Sequence, residues 1–268
     1  MQQQSKPIFS YYGGKQKMAS KIVPLIPEHQ MYVEPFFGGG AIMFAKGVPD
    51  VSTSKYHEVI NDRDERIINF YRVFQDPIKS QELLHRIEYT PHSEAEYRRS
   101  KDILKNPDKH RDVLVAWAWY VNVQQSFGNK ALHGWQRIRK TPDRNPAAIC
   151  SNAKQRLPLL FERFKNVTIC CDDALKVIQQ RDSETAFFYL DPPYPDTRQD
   201  SYVGSYNWQN LNELIELLST IKGKFILSNY TSDKIEVPDS WKLLTFETRA
   251  GLGRVNCNKR VEGVWMNY

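Results

Sequence analysis

The feature that most limits what this chain can fold into is an alternation of strand and helix signals that stops and later resumes. An apolar run at 31–34 breaks at Pro35, passes into the turn FFGGG and continues as the helix-compatible AIMFAK. A second run, 56–60, closes at Asn61-Asp62, after which Ile67, Ile68, Tyr71 and Phe74 recur at helical spacing. Strand signals return at 167–171, 186–190, 224–228, 241–248 and 263–267, with helices expected over 174–180 and 210–221. The stretch 76–164 between them is polar, Arg-rich and helical in pattern, with no strand signal of comparable quality. Repeated strand–helix units predict a parallel sheet with crossover helices. The expected class is α/β: one sheet domain, 1–75 and 165–268, split by a largely helical insertion, 76–164.

Composition agrees with that size of core. The chain has 268 residues, 41% of them hydrophobic and 25% charged, which excludes a disordered basic tail or a low-complexity fibre. Its four cysteines, Cys150, Cys170, Cys171 and Cys257, form no CxxC pair, so neither a zinc knuckle nor a thioredoxin-type site is supported. A reducing, cytoplasmic compartment and no metal are expected. No apolar leader opens the sequence, and the longest apolar run, 113–123, falls short of the ~20 residues that a membrane span needs. No membrane association is expected, and a monomer is.

Charge is uneven. Lys and Arg total 37 against 31 Asp and Glu, but 130–165 alone holds nine basic and two acidic residues, leaving 28 basic against 29 acidic elsewhere. A basic segment beside a neutral domain suits a polyanion. It equally suits a solvated basic face with no partner.

Three motifs carry chemistry. In Glu34-Pro-Phe-Phe-Gly-Gly-Gly40 the glycines at a strand end let backbone approach a ligand, where the next helix offers free amides; a purely structural turn is the alternative. The loop is too short for GxGxxG, and no GxxxxGK[ST] is present. Asp62 closes the following strand, where an acid can accept hydrogen bonds from ribose hydroxyls or cap the next helix. Leu190-Asp-Pro-Pro-Tyr194 follows the apolar run AFFYL. Its prolines remove two backbone donors and leave the Asp191 and Pro192 carbonyls free. The Asp191 carboxylate and a proline carbonyl can accept both hydrogens of an exocyclic amine, and Tyr194 offers a stacking ring.

Ser10-Tyr-Tyr-Gly-Gly-Lys15, the Glu34–Gly40 loop, Asn61-Asp62 and Asp191-Pro-Pro-Tyr194, in this order, resemble the DNA adenine N6-methyltransferase family of the Dam type. The terminal Arg260-Val-Glu-Gly-Val-Trp-Met-Asn267 is similar to the end of that family. The resemblance implies a Rossmann-like methyltransferase sheet, S-adenosylmethionine as methyl donor, double-stranded DNA as partner and target recognition by the insertion. It implies Asp191, Pro192, Pro193 and Tyr194 as catalytic residues that hold a flipped adenine. Tyr11, Lys15, Glu34, Phe36, Gly38, Gly40, Asp62 and Asp191 would surround the cofactor. Asp173, or else Asp172, would reach its adenine ring.

The sequence departs from GATC-reading relatives, which carry an RYN…G-F-N-x-P pattern where this chain has Asn122-Val-Gln-Gln-Ser-Phe-Gly-Asn129. An Asp-His pair common after the Tyr loop is here Asn210-Leu211. Gln124, Gln125, Ser126, Asn129 and Lys130 are candidates for reading bases, and Arg137, Arg139 and Lys140 for phosphates. Trp117, Trp119 and Tyr120 read as core. Two other readings stand beside adenine methylation: N4-cytosine or RNA methylation, and a catalytically silent DNA-binding protein.

Overall fold

Seven strands make one sheet: β1 (Met31–Glu34), β2 (His57–Asn61), β3 (Val167–Cys170), β4 (Ala186–Leu190), β5 (Lys224–Tyr230), β6 (Lys242–Arg249) and β7 (Lys259–Met266). This is a computed structural model, and it describes residues 11, 13–47, 55–137, 145–195, 197, 204–249 and 259–268. The strand order is β3-β2-β1-β4-β5-β7-β6. β1 to β5 run parallel, while β7 enters antiparallel between β5 and β6. All seven strand signals in the sequence are strands; β7 begins four residues earlier than its apolar run, because its first half pairs with β6.

The helices are α1 (Ala19–Ile22), α2 (Ala41–Lys46), α3 (Glu65–Val73), α4 (Pro77–Glu88), α5 (Glu94–Lys105), α6 (Asp112–Gln125), α7 (Pro146–Lys154), α8 (Leu159–Phe164), α9 (Ala174–Arg181) and α10 (Trp208–Leu218). Short polar side chains start several of them, as helix ends require. Asp64 accepts from the Arg66 amide to start α3, and Asp76 accepts from Ile78 and Lys79 ahead of Pro77 in α4. Asn207 and Asn210 cap α10 reciprocally, at 3.1 and 3.0 Å, which gives Asn210 a structural role.

β4 is buried at every position, as a central strand covered on both faces must be. One face packs on α2, α3 and the helical insertion, the other on α9 and α10. α6 is apolar around nearly its whole circumference and lies inside the insertion, buried from Val115 to Gln125. No helix among the described residues is long and apolar enough to cross a membrane.

The insertion shares its core with the sheet. Phe70 of α3 stacks on Tyr120 at 5.9 Å and meets Trp119 at 4.9 Å, and Trp117, Trp119 and Tyr120 are buried. Burying each such side chain contributes ~1.5–3 kcal/mol. Its return helix is also tied down electrostatically: Arg163 of α8 grips Glu58 of β2, which Lys46 of α2 approaches at 2.5 Å.

Candidate active site

Strand order reverses between β1 and β4, and in open α/β sheets ligands bind at such a switch point, beyond the strands' carboxyl ends. A cavity of about 180 Å³ lies there, walled by the loops after β1, β2, β3 and β4. The β1 loop turns sharply, with Gly38 at φ 47° and Gly40 at φ 61°, the left-handed region that glycine alone enters freely. Asp62 fixes this loop. Its Oδ2 accepts from the Gly38 amide at 2.8 Å and its Oδ1 from the Asp64 amide at 2.9 Å. Helix capping, the alternative role for Asp62, falls to Asp64 instead. Enclosure pushes the Asp62 carboxyl up to about 6 despite those two donors.

Asn61, which sequence reasoning used only as a motif partner, knots three loops together. It donates to the Pro35 and Asp172 carbonyls, both at 3.0 Å, and accepts from the Asp172 amide at 2.9 Å. Glu34 is almost fully buried, accepts the Tyr32 hydroxyl at 2.8 Å, and is pushed up to about 8 chiefly by burial. It is therefore largely protonated at neutral pH, and a cationic neighbour would favour its ionised form. Tyr11 and Phe36 both line the cavity, Tyr11 against the glycine loop and over Trp119 at 6.1 Å, Phe36 edge-on to Tyr206 at 6.2 Å. Asp173 also lines the cavity, yet it is exposed and caps α9 through the Leu175 amide at 2.9 Å. Asp172 pairs with Lys176 at 3.4 Å.

Where β4 ends, four side chains from three distant parts of the chain meet. Lys15 Nζ lies 3.0 Å from Asp191 Oδ1 and 3.1 Å from Glu262 Oε1, and it donates to the Tyr194 hydroxyl. That hydroxyl in turn lies 2.5 Å from Glu262 Oε1 and 3.2 Å from Asp191 Oδ1. Burial raises both carboxyls, and Lys15 opposes it; the two carboxylates outweigh desolvation at Lys15, whose ammonium is held charged. All hydrogen bonds of the Asp191 carboxylate among the described residues fall on Oδ1, leaving Oδ2 for an incoming donor. Pro192 is buried and Pro193 faces the cavity.

Beyond Tyr194 lies a second cleft of about 410 Å³, over the ends of β5 and β7. Tyr230 meets Tyr194 edge-on at 4.6 Å, and the Arg260 guanidinium sits 4.8 Å over the Tyr230 ring. Asn229 lines the same cleft, its amide nitrogen buried without a partner among the described residues.

Residues 11–249 match the D12 class of N6 adenine-specific DNA methyltransferases. The chain belongs to this family. Among curated relatives of this adenine-specific DNA methyltransferase, the Type II methyltransferase M.MjaIII of Methanocaldococcus jannaschii is 28% identical over 232 residues, 78% of this chain and 75% of its own. The Type II methyltransferase M1.LlaDCHI of Lactococcus lactis subsp. cremoris is 27% identical over 264 residues, 86% of this chain and 83% of its own. A solved structure described as putative methyltransferase yhhF from Escherichia coli aligns over 94% of this chain and 82% of its own, with a TM-score of 0.38 and 12% identity.

The candidate DNA-reading residues of this methyltransferase are not all where the sequence suggested. Gln124, Gln125 and Ser126 are buried, which corrects their reading as base contacts. Gln125 accepts from the Ser93 amide at 3.0 Å and donates to the Pro91 carbonyl at 2.9 Å, and Ser126 donates to the Val123 carbonyl at 3.1 Å. They close a hairpin in which Ser126 bridges Trp135. Asn129 and Lys130 sit at its turn, Asn129 donating to Val123 O at 3.3 Å. Phe127 stands 53% exposed at that turn, beside Gly128-Asn129.

The basic segment is partly internal. Arg163 holds Glu58, Lys154 caps the Glu88 and Thr90 carbonyls at 2.9 and 2.8 Å, Lys165 pairs with Glu162, and exposed Arg137 approaches Glu94 at 3.4 Å. Arg139 and Lys140 lie outside the described residues. Among the described residues no cluster of His, Cys, Asp and Glu could hold a metal ion.

Proposed function

We propose that this DNA methyltransferase takes its methyl group from S-adenosylmethionine and delivers it to N6 of an adenine flipped out of a duplex. The observation that carries the reading is the half-used Asp191 carboxylate, held by Lys15 on one oxygen, lining the first cleft and bonded to Tyr194, which lines the second. The first cleft fits the cofactor by its donor set. Asp62 is placed to accept ribose hydroxyls, Glu34 is a buried acid suited to a cationic group, and the Gly38–Gly40 turn admits a ligand against bare backbone. Tyr11 and Phe36 supply apolar walls, and Asp173 or Asp172 lies at the far end. When bound, the cofactor supplies a methyl group on a positively charged sulfur that leaves as a neutral thioether.

A base stacked in a duplex cannot reach this site, and extruding it costs a few kcal/mol. The second cleft suits the extruded ring: Tyr194 and Tyr230 offer aromatic surface, and Asn229 an unused amide. Asp191 Oδ2 and the Pro192 carbonyl would accept the two N6 hydrogens and turn the nitrogen lone pair toward the first cleft. As the N–C bond forms, the displaced N6 proton passes to Asp191. Rate enhancement comes from orientation and fixed charge. The hairpin carrying Phe127, Asn129 and Lys130, together with Arg137, would contact the duplex, within the 76–164 segment proposed as the target-recognition unit.

The test is to incubate unmethylated duplex with methyl-labelled cofactor and digest to nucleosides. Label is expected in N6-methyladenine; label in N4-methylcytosine, or only in RNA, would overturn the reading. For the cofactor site, Asp62→Ala should weaken cofactor binding about 10–100-fold, the value of one or two charge-assisted hydrogen bonds, with little change in turnover at saturation. Since the Asp62 carboxyl titrates at about 6, its charge is present above that pH and lost below it. Wild-type affinity should therefore weaken as pH falls through 6, and calorimetric titration should find that step missing in Asp62→Ala.

A further inference from the structure

Glu262 lies in the terminal run 260–267, to which the sequence attaches a resemblance but no role, and it closes the cluster around Asp191. It is 3% exposed and comes from β7, far along the chain from Lys15 and β4. The hydrogen-bond pattern says what it does there. Lys15 donates to the Tyr194 oxygen, so the single Tyr194 proton is directed away from Lys15, toward the carboxylates. Two compete for it: Glu262 Oε1 at 2.5 Å and Asp191 Oδ1 at 3.2 Å. Glu262 is the nearer, and it also shares the Lys15 ammonium, 3.1 Å against 3.0 Å for Asp191. Remove its charge and the Lys15 ammonium is left to Asp191 alone.

From this arrangement we infer that Glu262 is a positioning residue, one that draws the Tyr194 proton and part of the Lys15 charge away from Asp191 and so preserves Asp191 as an acceptor for the substrate amine. The inference rests on the proposed role of Asp191. It also gives a reason for two carboxylates around one lysine. With both carboxyls ionised the cluster carries one net negative charge beside the first cavity, and a like pair held together by a shared cation stays more basic than a simple one-to-one ion pair. The other groups that face Asp191 are Tyr189 on its own strand and Glu34 on β1, both coupled to it through space. Neither is hydrogen-bonded to it.

The experiment uses the full chain and Glu262→Gln, which keeps the volume and an oxygen for the Tyr194 hydroxyl but removes the charge. Turnover on duplex DNA should fall about 10–100-fold, the scale set by a misdirected catalytic group, with KM for DNA and cofactor affinity within about twofold of wild type. The acid limb of the turnover profile should move to lower pH, because Asp191 loses a like-charged neighbour and gains all of Lys15. Glu262→Asp, which restores the charge one methylene shorter, should recover part of the turnover. A second readout needs no activity: a ¹³C carboxyl NMR titration of Asp191 should shift downward in Glu262→Gln. Wild-type turnover, or lost turnover with an unshifted Asp191 titration, would overturn the inference. If the wild-type protein transferred no methyl group to DNA, the proposed function would fall while the NMR titration still judged the coupling.

Discussion

Asp191→Ala should lower methyl transfer by about 10³–10⁴-fold, equivalent to about 4–5.5 kcal/mol of transition-state stabilisation. The side chain combines two tasks that are separable by substitution. Its oxygen orients the amine, and its charge takes up the proton that leaves N6. Asp191→Asn keeps one oxygen of the same reach, but aiming it at the amine turns its NH2 toward Lys15, so it should lose the second task and part of the first and retain only somewhat more transfer than the alanine variant. Neither change should unfold the protein, because Lys15 keeps Glu262 as a counter-ion at 3.1 Å. Burial also disfavours the ionised Asp191 in the folded state, so its removal relieves a desolvation penalty. Single-turnover transfer to duplex, with cofactor and DNA affinities measured in parallel, decides the matter. Transfer by Asp191→Ala at the wild-type rate would remove Asp191 from the chemistry.

Most of the sheet was legible because its strands are short apolar runs ending at residues that break them. The run 31–34 stops at Pro35, β2 at Asp62, and β4 at Asp191-Pro192. Those same breakpoints are the cavity wall, since ligands bind where strands end. Strand direction was not legible: nothing in 259–266 marks it as antiparallel or as lying between β5 and β6. Glu262 was hidden for a related reason, since its partners are placed by that insertion and not by any local spacing. The helical insertion showed its class but not its faces. α6 is apolar around most of its circumference, so no stripe distinguishes an outward side, and the Gln124–Ser126 stretch turned out to bond inward. Charge was visible by segment, but counting charges cannot show that Arg163 is buried against Glu58.

Gly40→Ala should damage the protein more than any other single methyl added to the described loops around the site. The residue sits at φ 61°, which costs a non-glycine residue roughly 1–2 kcal/mol. Its new Cβ would also stand 2.4 Å from Phe37 Cζ. A ring tip on a flexible surface side chain would swing aside, but Phe37 is 2% exposed and boxed in by Tyr71 at 4.9 Å, Phe164 at 6.3 Å and Phe44 at 6.4 Å. Overpacking of that kind costs a further ~1–3 kcal/mol. The total, about 2–5 kcal/mol, should lower Tm by roughly 5–15 °C. Cofactor affinity should fall more steeply still, because relieving the clash means moving the loop whose Gly38 amide rests on Asp62. Gly134→Ala is the matched control: nothing lies within 4 Å of its added carbon, and its effect should stay within about 0.5 kcal/mol. Thermal unfolding and cofactor titration of the two variants, side by side, separate a cradle closed by one methyl group from a general intolerance of substituted glycines. Equal, small effects at both positions would mean that the Phe37 ring can yield and that the cradle is not set by its packing.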